Sequence, residues 1–374
     1  MPFTLVLLKW FAQYGRQLPW RDTDNPYYIW VSEVILQQTR VAQGLSYYLR
    51  FIERFPTVEA LASAPLDDLM KVWQGLGYYT RARNLQAGAQ QVMELYGGQL
   101  PQTYAELLKI KGLGTYSAAA VASFAFGEAV PAVDGNVYRI LSRVFGVFTP
   151  IDTTQGRKEF FALAADLMDK QRPALFNQAI IDFGALVCTY RGSQCADCPQ
   201  SVWCYAYRNN MVDKLPIKGQ RVVVRSRYFY YLMLRYRNTT FVRRRAERDI
   251  WHSLYEFPLI ELSNQVSISE LMDTTQWGDL LGADAQVEVL SVSEPIKHQL
   301  THITLYATFI IAELRSVPYT LGLDYRCVPI GTLADYSVPR VIDAYMAAEP
   351  AVRYFSKSDK AYGSDDEDGV VVID

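Results

Sequence analysis

Up to about residue 212, apolar positions recur at three- and four-residue spacing, as in Leu49, Ile52 and Phe55 or Leu66, Leu69, Met70 and Trp73. Short Gly or Pro interruptions separate these runs, so residues 1–212 are expected to form a mainly α domain of many short helices with almost no strand. Around residues 213–224 the stretch Lys-Leu-Pro-Ile-Lys-Gly-Gln breaks the period and reads as a linker. Beyond it come β-branched and aromatic runs, Tyr228 to Tyr236 and Ile303 to Ile311, with helix-like pieces between them. They predict a smaller α+β domain over 225–350. Residues 351–374 are acidic and are expected to be disordered. No internal repeat of fixed period is present.

Composition narrows this picture. The chain has 374 residues, 50% hydrophobic and 20% charged, enough to bury a core in each of two domains. Its longest uncharged run, Gly112 to Gly127, is 16 residues of mostly small side chains, short of the roughly 20 apolar residues that a membrane helix needs. The apolar Phe3 to Leu8 stretch lacks a preceding positive charge and a following cleavage site, so no signal peptide is expected and the chain reads as cytoplasmic. Charge is unevenly placed. Residues 356–374 hold six acids against Lys357 and Lys360, while 221–248 hold nine arginines and one acid, Glu247. That density suits a phosphate-rich partner or, equally, a solvated surface.

All three histidines, His252, His298 and His302, lie beyond residue 250, so the first two thirds of the chain cannot build a Ser-His-Asp triad or a His-ligated zinc site. Four of the five cysteines, Cys188, Cys195, Cys198 and Cys204, fall in one window as C-x6-C-x2-C-x5-C. Four thiolates so close suggest a metal centre. Spacing leaves open a tetrahedral zinc site, a 4Fe-4S cluster, and free or disulfide-bonded thiols. Cys327 stands alone in a strand-like stretch and is expected to be buried. Gly112-Leu113-Gly114 ends one helix and starts another, a turn whose glycines permit positive φ and whose free N–H groups suit a DNA phosphate. Glu33 has Ile29, Trp30, Val34, Ile35 and Leu36 around it on a helix, so no wholly polar face is available to it. Desolvation would raise its pKa, as a general acid at neutral pH requires. A second carboxylate, Asp134, follows twenty residues after Gly114 in Val133-Asp134-Gly135-Asn136-Val137.

The cysteine spacing, the hairpin and Asp134 resemble the endonuclease III superfamily of DNA base-excision glycosylases. Leu18-Pro19-Trp20-Arg21, Ser32-Glu33-Val34, Gln37-Gln38-Thr39 and Gly75-Leu76-Gly77-Tyr78-Tyr79 narrow the resemblance to the MutY-type adenine glycosylases. Tyr255-Glu256-Phe257-Pro258 and Leu300-Thr301-His302 resemble that family's Nudix-like C-terminal domain, here without a box of clustered Arg and Glu. The resemblance implies a helix-hairpin-helix glycosylase domain with a structural 4Fe-4S cluster at 188–204, and a second domain that reads damage. The implied activity is hydrolytic removal of adenine opposite 8-oxoguanine or guanine in double-stranded DNA, by a monomeric bacterial enzyme associated with the nucleoid.

By resemblance Glu33 protonates adenine N7, and Asp134, beside Asn136, stays ionised near the sugar cation, the two being pushed to opposite protonation states. Tyr116 supports the sugar carboxylate. Tyr78 wedges into the duplex, Gln38 probes the vacated stack, and Arg16, Trp20 and Arg21 line the adenine pocket. Gly112 and Gly114 grip the backbone, Arg191 meets a phosphate, and Thr301 and His302 read the oxidised base. This chain departs from related patterns in three places. Tyr116 stands where the lyase branch has a lysine nucleophile, so the enzyme is expected to be monofunctional. Gln178 stands where some members have a Glu that contacts adenine. Thr301 and Leu300 replace the more usual Ser and Phe.

Overall fold

The computed structural model describes residues 2–219, 224–246, 249–282 and 285–348. They form two compact units: one built from the chain up to Val72 and from Thr80 through the helical half, the other from Trp73–Tyr79 and the described residues from 224 onward. The acidic tail lies outside the described residues.

The first unit is helical, as the periodicity predicts. Its helix Pro26–Leu36 starts where Asn25 Oδ1 accepts from the Tyr27 N–H at 3.0 Å, with Pro26 in the first helical position. Eight of its 11 residues are buried, on every side of the axis. The helix Thr115–Phe126 packs against it with an unbroken buried run of small residues, Ser117–Ser123. Small side chains let the two backbones approach. Gln37 Nε2 joins them by donating to Ser117 Oγ at 2.9 Å. At the same C-terminal end Arg81 Nη1 donates to the carbonyls of Val34, Ile35 and Gln37 at 2.9, 2.8 and 2.5 Å, filling acceptors that the helix itself leaves open. A second packed group joins Pro2–Tyr14, Gly135–Phe145, Thr154–Leu167 and Pro173–Leu186 around Leu7, Ile140, Phe160, Phe176 and Phe183.

Residues 213–219, the first part of the expected linker, are fastened to this unit. Leu215 is buried and its carbonyl accepts from Arg143 Nε at 3.1 Å, the Ile217 carbonyl accepts from the Ile151 N–H, and the Gly219 N–H donates to Asp152. Leu215 and Ile217 are apolar, which is why this stretch packs where its Pro and Gly suggested a free connection.

The second unit is built on a sheet whose central strands, Arg225–Tyr236 and Ile303–Leu314, run parallel with Tyr230 opposite Thr308. Phe229, Tyr231, Met233, Phe309 and Ile311 face one packed layer; Tyr230, Leu232, Leu234, Ile310 and Ala312 face the other. Burial on both faces explains the nearly continuous apolar runs in the sequence. One expectation fails here: Cys327 is exposed, on the short strand Arg326–Pro329. Within the arginine-rich run, Arg227 pairs with Asp249 and Glu261, and Arg243 and Arg245 pair with the fully buried Glu256. No helix among the described residues is long and apolar enough to cross a membrane.

Candidate active site

A cavity of about 410 Å³ in the helical unit takes both candidate carboxylates into its lining. Glu33, Tyr116, Asp134 and Asn136 line it, as do Arg16, Trp20, Arg21 and Gln178. All eight were singled out from the sequence. Glu33 is 7% exposed. Burial pushes its carboxyl up to about 7; the Asp134 charge adds to the rise, while a hydrogen bond from Tyr116 and the Arg21 guanidinium oppose it. A carboxylic acid in this range holds its proton near neutrality and can still give it up.

Asp134 is held differently. It caps the helix Gly135–Phe145, where its carboxylate accepts from the N–H groups of Asn136 and Val137 at 2.9 Å each and from Asn136 Nδ2 at 2.7 Å. Its pKa does not move in the opposite direction from that of Glu33. Burial raises its pKa as well, against the three hydrogen bonds and the Arg139 guanidinium that favour the ionised form. The two acids differ in how many donors they receive, not in the direction of their shifts. Tyr116 also differs from expectation, since its phenol hydrogen-bonds Glu33 and meets Asp134 only through its charge.

The cavity walls depend on residues that the sequence reading passed over. Asp182, fully buried on Pro173–Leu186, accepts from the Arg16 backbone N–H at 3.0 Å, from Arg16 Nε at 2.9 Å and from both terminal nitrogens of Arg21 at 2.8 Å; Arg16 Nη2 also bonds it. Burial alone would raise this carboxyl, but the hydrogen bonds from Arg21 and Arg16 hold it below the usual carboxylate range. Asp182 thereby fixes both arginines at the cavity. Asn177 orders the strand-like approach to Asp134, accepting from the Ala132 N–H at 3.0 Å and donating to Ser123 and the Val130 carbonyl at 2.9 Å each. Arg139 ties Asn136 Oδ1 to the carbonyls of Gly184 and Cys188. Gly184 is obligatory beside it, because a Cβ there would lie 2.5 Å from Asn136 Cβ.

The remaining candidates lie outside this cavity. Gln38 and Tyr78 are exposed and adopt left-handed backbones, φ 56° and 50°, a strain that non-glycine residues carry mainly at special sites. Gly112 has φ +89° and a Cβ there would sit 3.1 Å from Asn84 backbone atoms. Gly114 has an ordinary φ of −87°, so only the first hairpin glycine needs its freedom; Gly114 is an exposed N-cap without a side-chain hydrogen bond, which leaves N–H donors open. Arg191 is exposed, its guanidinium 5.9 Å from the Tyr190 ring centre. Thr301 and His302 form the exposed turn before Ile303–Leu314.

Cys188, Cys195, Cys198 and Cys204 all border one enclosed space. Burial and the neighbouring thiols raise Cys195, Cys198 and Cys204, Cys198 to about 11. The described residues include no group of three or more His, Cys, Asp or Glu placed to hold a single metal ion. Four thiols bordering one space are a ligand set that suits a zinc ion or a 4Fe-4S cluster alike. Arg143, 2% exposed, braces the loop through the Thr189 carbonyl at 2.8 Å, Ser193 Oγ at 3.1 Å and Cys188 Sγ at 3.5 Å.

Comparison with known proteins agrees with this geometry. The profile of the HhH-GPD superfamily of base excision DNA repair proteins matches residues 31–163, and that of the NUDIX domain matches 230–348. An adenine DNA glycosylase of Buchnera aphidicola subsp. Baizongia pistaciae is 33% identical over 306 residues, 81% of this chain and 84% of the relative. A thermostable thymine-DNA glycosylase superposes on 55% of this chain and 95% of its own, with TM-score 0.52 and 29% identity. Endonuclease III in a non-covalent DNA complex covers 56% of this chain and 95% of its own, with TM-score 0.50 and 26% identity. Fold, paired carboxylates and relatives lead to one conclusion: the chain belongs to the adenine DNA glycosylases of the helix-hairpin-helix superfamily, enzymes of base-excision repair that act on DNA.

Proposed function

We propose that this glycosylase hydrolyses the N-glycosidic bond of adenine facing 8-oxoguanine or guanine in duplex DNA, without cutting the strand. The observation that carries this reading is Glu33, a buried acid raised to about 7 that shares a cavity with the capped carboxylate of Asp134. In the proposed reaction Glu33 gives its proton to N7 of the extruded adenine. The C1′–N9 bond then breaks with its electron pair going to the base. Asp134, supplied with three hydrogen bonds, offsets the positive charge left on the sugar. Water adds its hydroxyl to C1′ and returns a proton to Glu33. Tyr116 offers no amine for a Schiff base, which supports a monofunctional enzyme.

Tyr78 and Gln38, strained and exposed, suit insertion into the duplex, while Gly112, Gly114 and Arg191 suit backbone contacts. Thr301 and His302 would read the oxidised base from the Nudix-like unit. The four cysteines would hold a 4Fe-4S cluster, which when bound would supply a covalent cross-link of the loop and no step of the reaction. We place the enzyme in the cytoplasm with the nucleoid. The test is release of free adenine from duplexes with one A opposite 8-oxoguanine, with borohydride trapping in parallel. No adenine release, or a trapped covalent complex, would overturn the reading.

A further inference from the structure

Tyr116 borders two cavities. One contains Glu33 and Asp134; the other, about 400 Å³, is lined by the rings of Tyr104, Tyr138 and Phe161 and by Arg157 and Lys158. The lining of this second cavity carries two cations and no acid. Neither cation makes an ion pair among the described residues. Both stand near the start of the helix Thr154–Leu167, whose first turn holds no acid, an end at which positive side chains are unfavourable. Thr115 and Thr154, the first residues of two helices, both border the cavity, so two partly positive helix ends add to the two cations. The Tyr138 phenol lies within electrostatic reach of both Arg157 and Asp134, which places this positive field one ring away from the catalytic carboxylate.

We propose that the second cavity takes the phosphodiester group flanking the extruded adenosine on its own strand, with Arg157 and Lys158 as counter-charges and the aromatic rings against the adjoining deoxyribose. An anionic group joined to a flat, partly apolar sugar fits a cavity of cations and rings, and Tyr116 sets it beside the bond that breaks. This site rests on the function proposed above and adds to it a phosphate contact separate from the Gly112–Gly114 turn.

The test measures affinity for a duplex carrying 2′-fluoro-2′-deoxyadenosine opposite 8-oxoguanine, whose fluorine disfavours the sugar cation and blocks cleavage. Arg157→Ala with Lys158→Ala should bind roughly 5- to 20-fold more weakly at low salt, with the slope of log K against log salt reduced by about 1 to 2. Arg157→Lys with Lys158→Arg should keep the slope. Replacing single phosphates on either side of the adenosine by neutral methylphosphonates should weaken the unaltered protein several-fold at one linkage and leave the double alanine variant unaffected there. An unchanged slope, or equal methylphosphonate losses in both proteins at every linkage, would overturn the site. Adenine release by the unaltered protein on cleavable DNA tests the underlying function separately.

Discussion

At the scale of single residues, burial sets the chemistry. Glu33 raised to about 7 predicts that the single-turnover rate of adenine release falls as pH rises through about 7, because the proton donor is then lost. Glu33→Gln should bind the mispair and lose about 10³-fold or more in that rate. The same burial has a stability consequence. A carboxyl whose folded pKa exceeds its unfolded one contributes stability below about 4.5 that is lost as pH rises through about 7, up to about 3 kcal/mol here. Glu33→Gln should therefore melt above the unaltered protein at pH 8 and not at pH 4.5; equal melting shifts at both values would contradict the buried-acid assignment. Asp182→Asn should act in the opposite sense, leaving two guanidiniums without their shared counter-charge and costing about 3 to 5 kcal/mol, read by denaturant unfolding at neutral pH.

Glu33 and Asp182 also measure what the sequence makes legible. Both are acids among apolar neighbours on a helix, and the reasoning that identified Glu33 applies equally to Asp182, flanked by Ile180, Ile181 and Phe183. Its partners, Arg16 and Arg21, lie more than 160 positions away, and periodicity carries no information about such pairs. Asp134 shows a different gap. Its place in the motif was visible, but its backbone hydrogen bonds depend on its being a helix cap, and the sign of its shift depends on how burial and those bonds balance.

At the scale of elements, the hairpin turn separates two uses of glycine. Gly112→Ala forces a Cβ into left-handed backbone and against Asn84, and should cost about 1 to 3 kcal/mol in unfolding measurements. Gly114→Ala has an ordinary φ and open space around it, so stability should stay within about 0.5 kcal/mol while DNA affinity falls, if a phosphate approaches that backbone. Equal losses of stability in the two variants would refute this division. Helix and strand types were legible because their periods are strong. The packing of 213–219 was not, since Pro216 and Gly219 signalled a break while the apolar Leu215 and Ile217, on either side of the proline, hold the stretch to the helical unit.

At the scale of the whole molecule, the two units have separate cores, and the proposed tasks divide with them. In the full chain, Thr301→Ala with His302→Ala should reduce the preference for A:8-oxoguanine over A:G duplexes by roughly 5- to 150-fold, the worth of one desolvated hydrogen bond. Binding ratios at one salt concentration read this directly, because phosphate contacts cancel. An unchanged ratio would move damage reading into the helical unit.

Long-range ties also set an order in time. The Pro2–Tyr14 helix is fastened by Thr4 to the Leu167 carbonyl and by Gln200 to the Phe3 carbonyl, and Arg16 waits for Asp182. The central strand Arg225–Tyr236 finds its parallel partner only at Ile303–Leu314. During synthesis, which proceeds from the N-terminus, the adenine pocket has all its parts once the chain passes residue 200, and the Nudix-like sheet must wait about a hundred residues more. A ribosome stalled between those points would hold a finished cavity and an open strand edge, so the hazard of mispairing in this protein falls late and on the unit proposed to recognise damage.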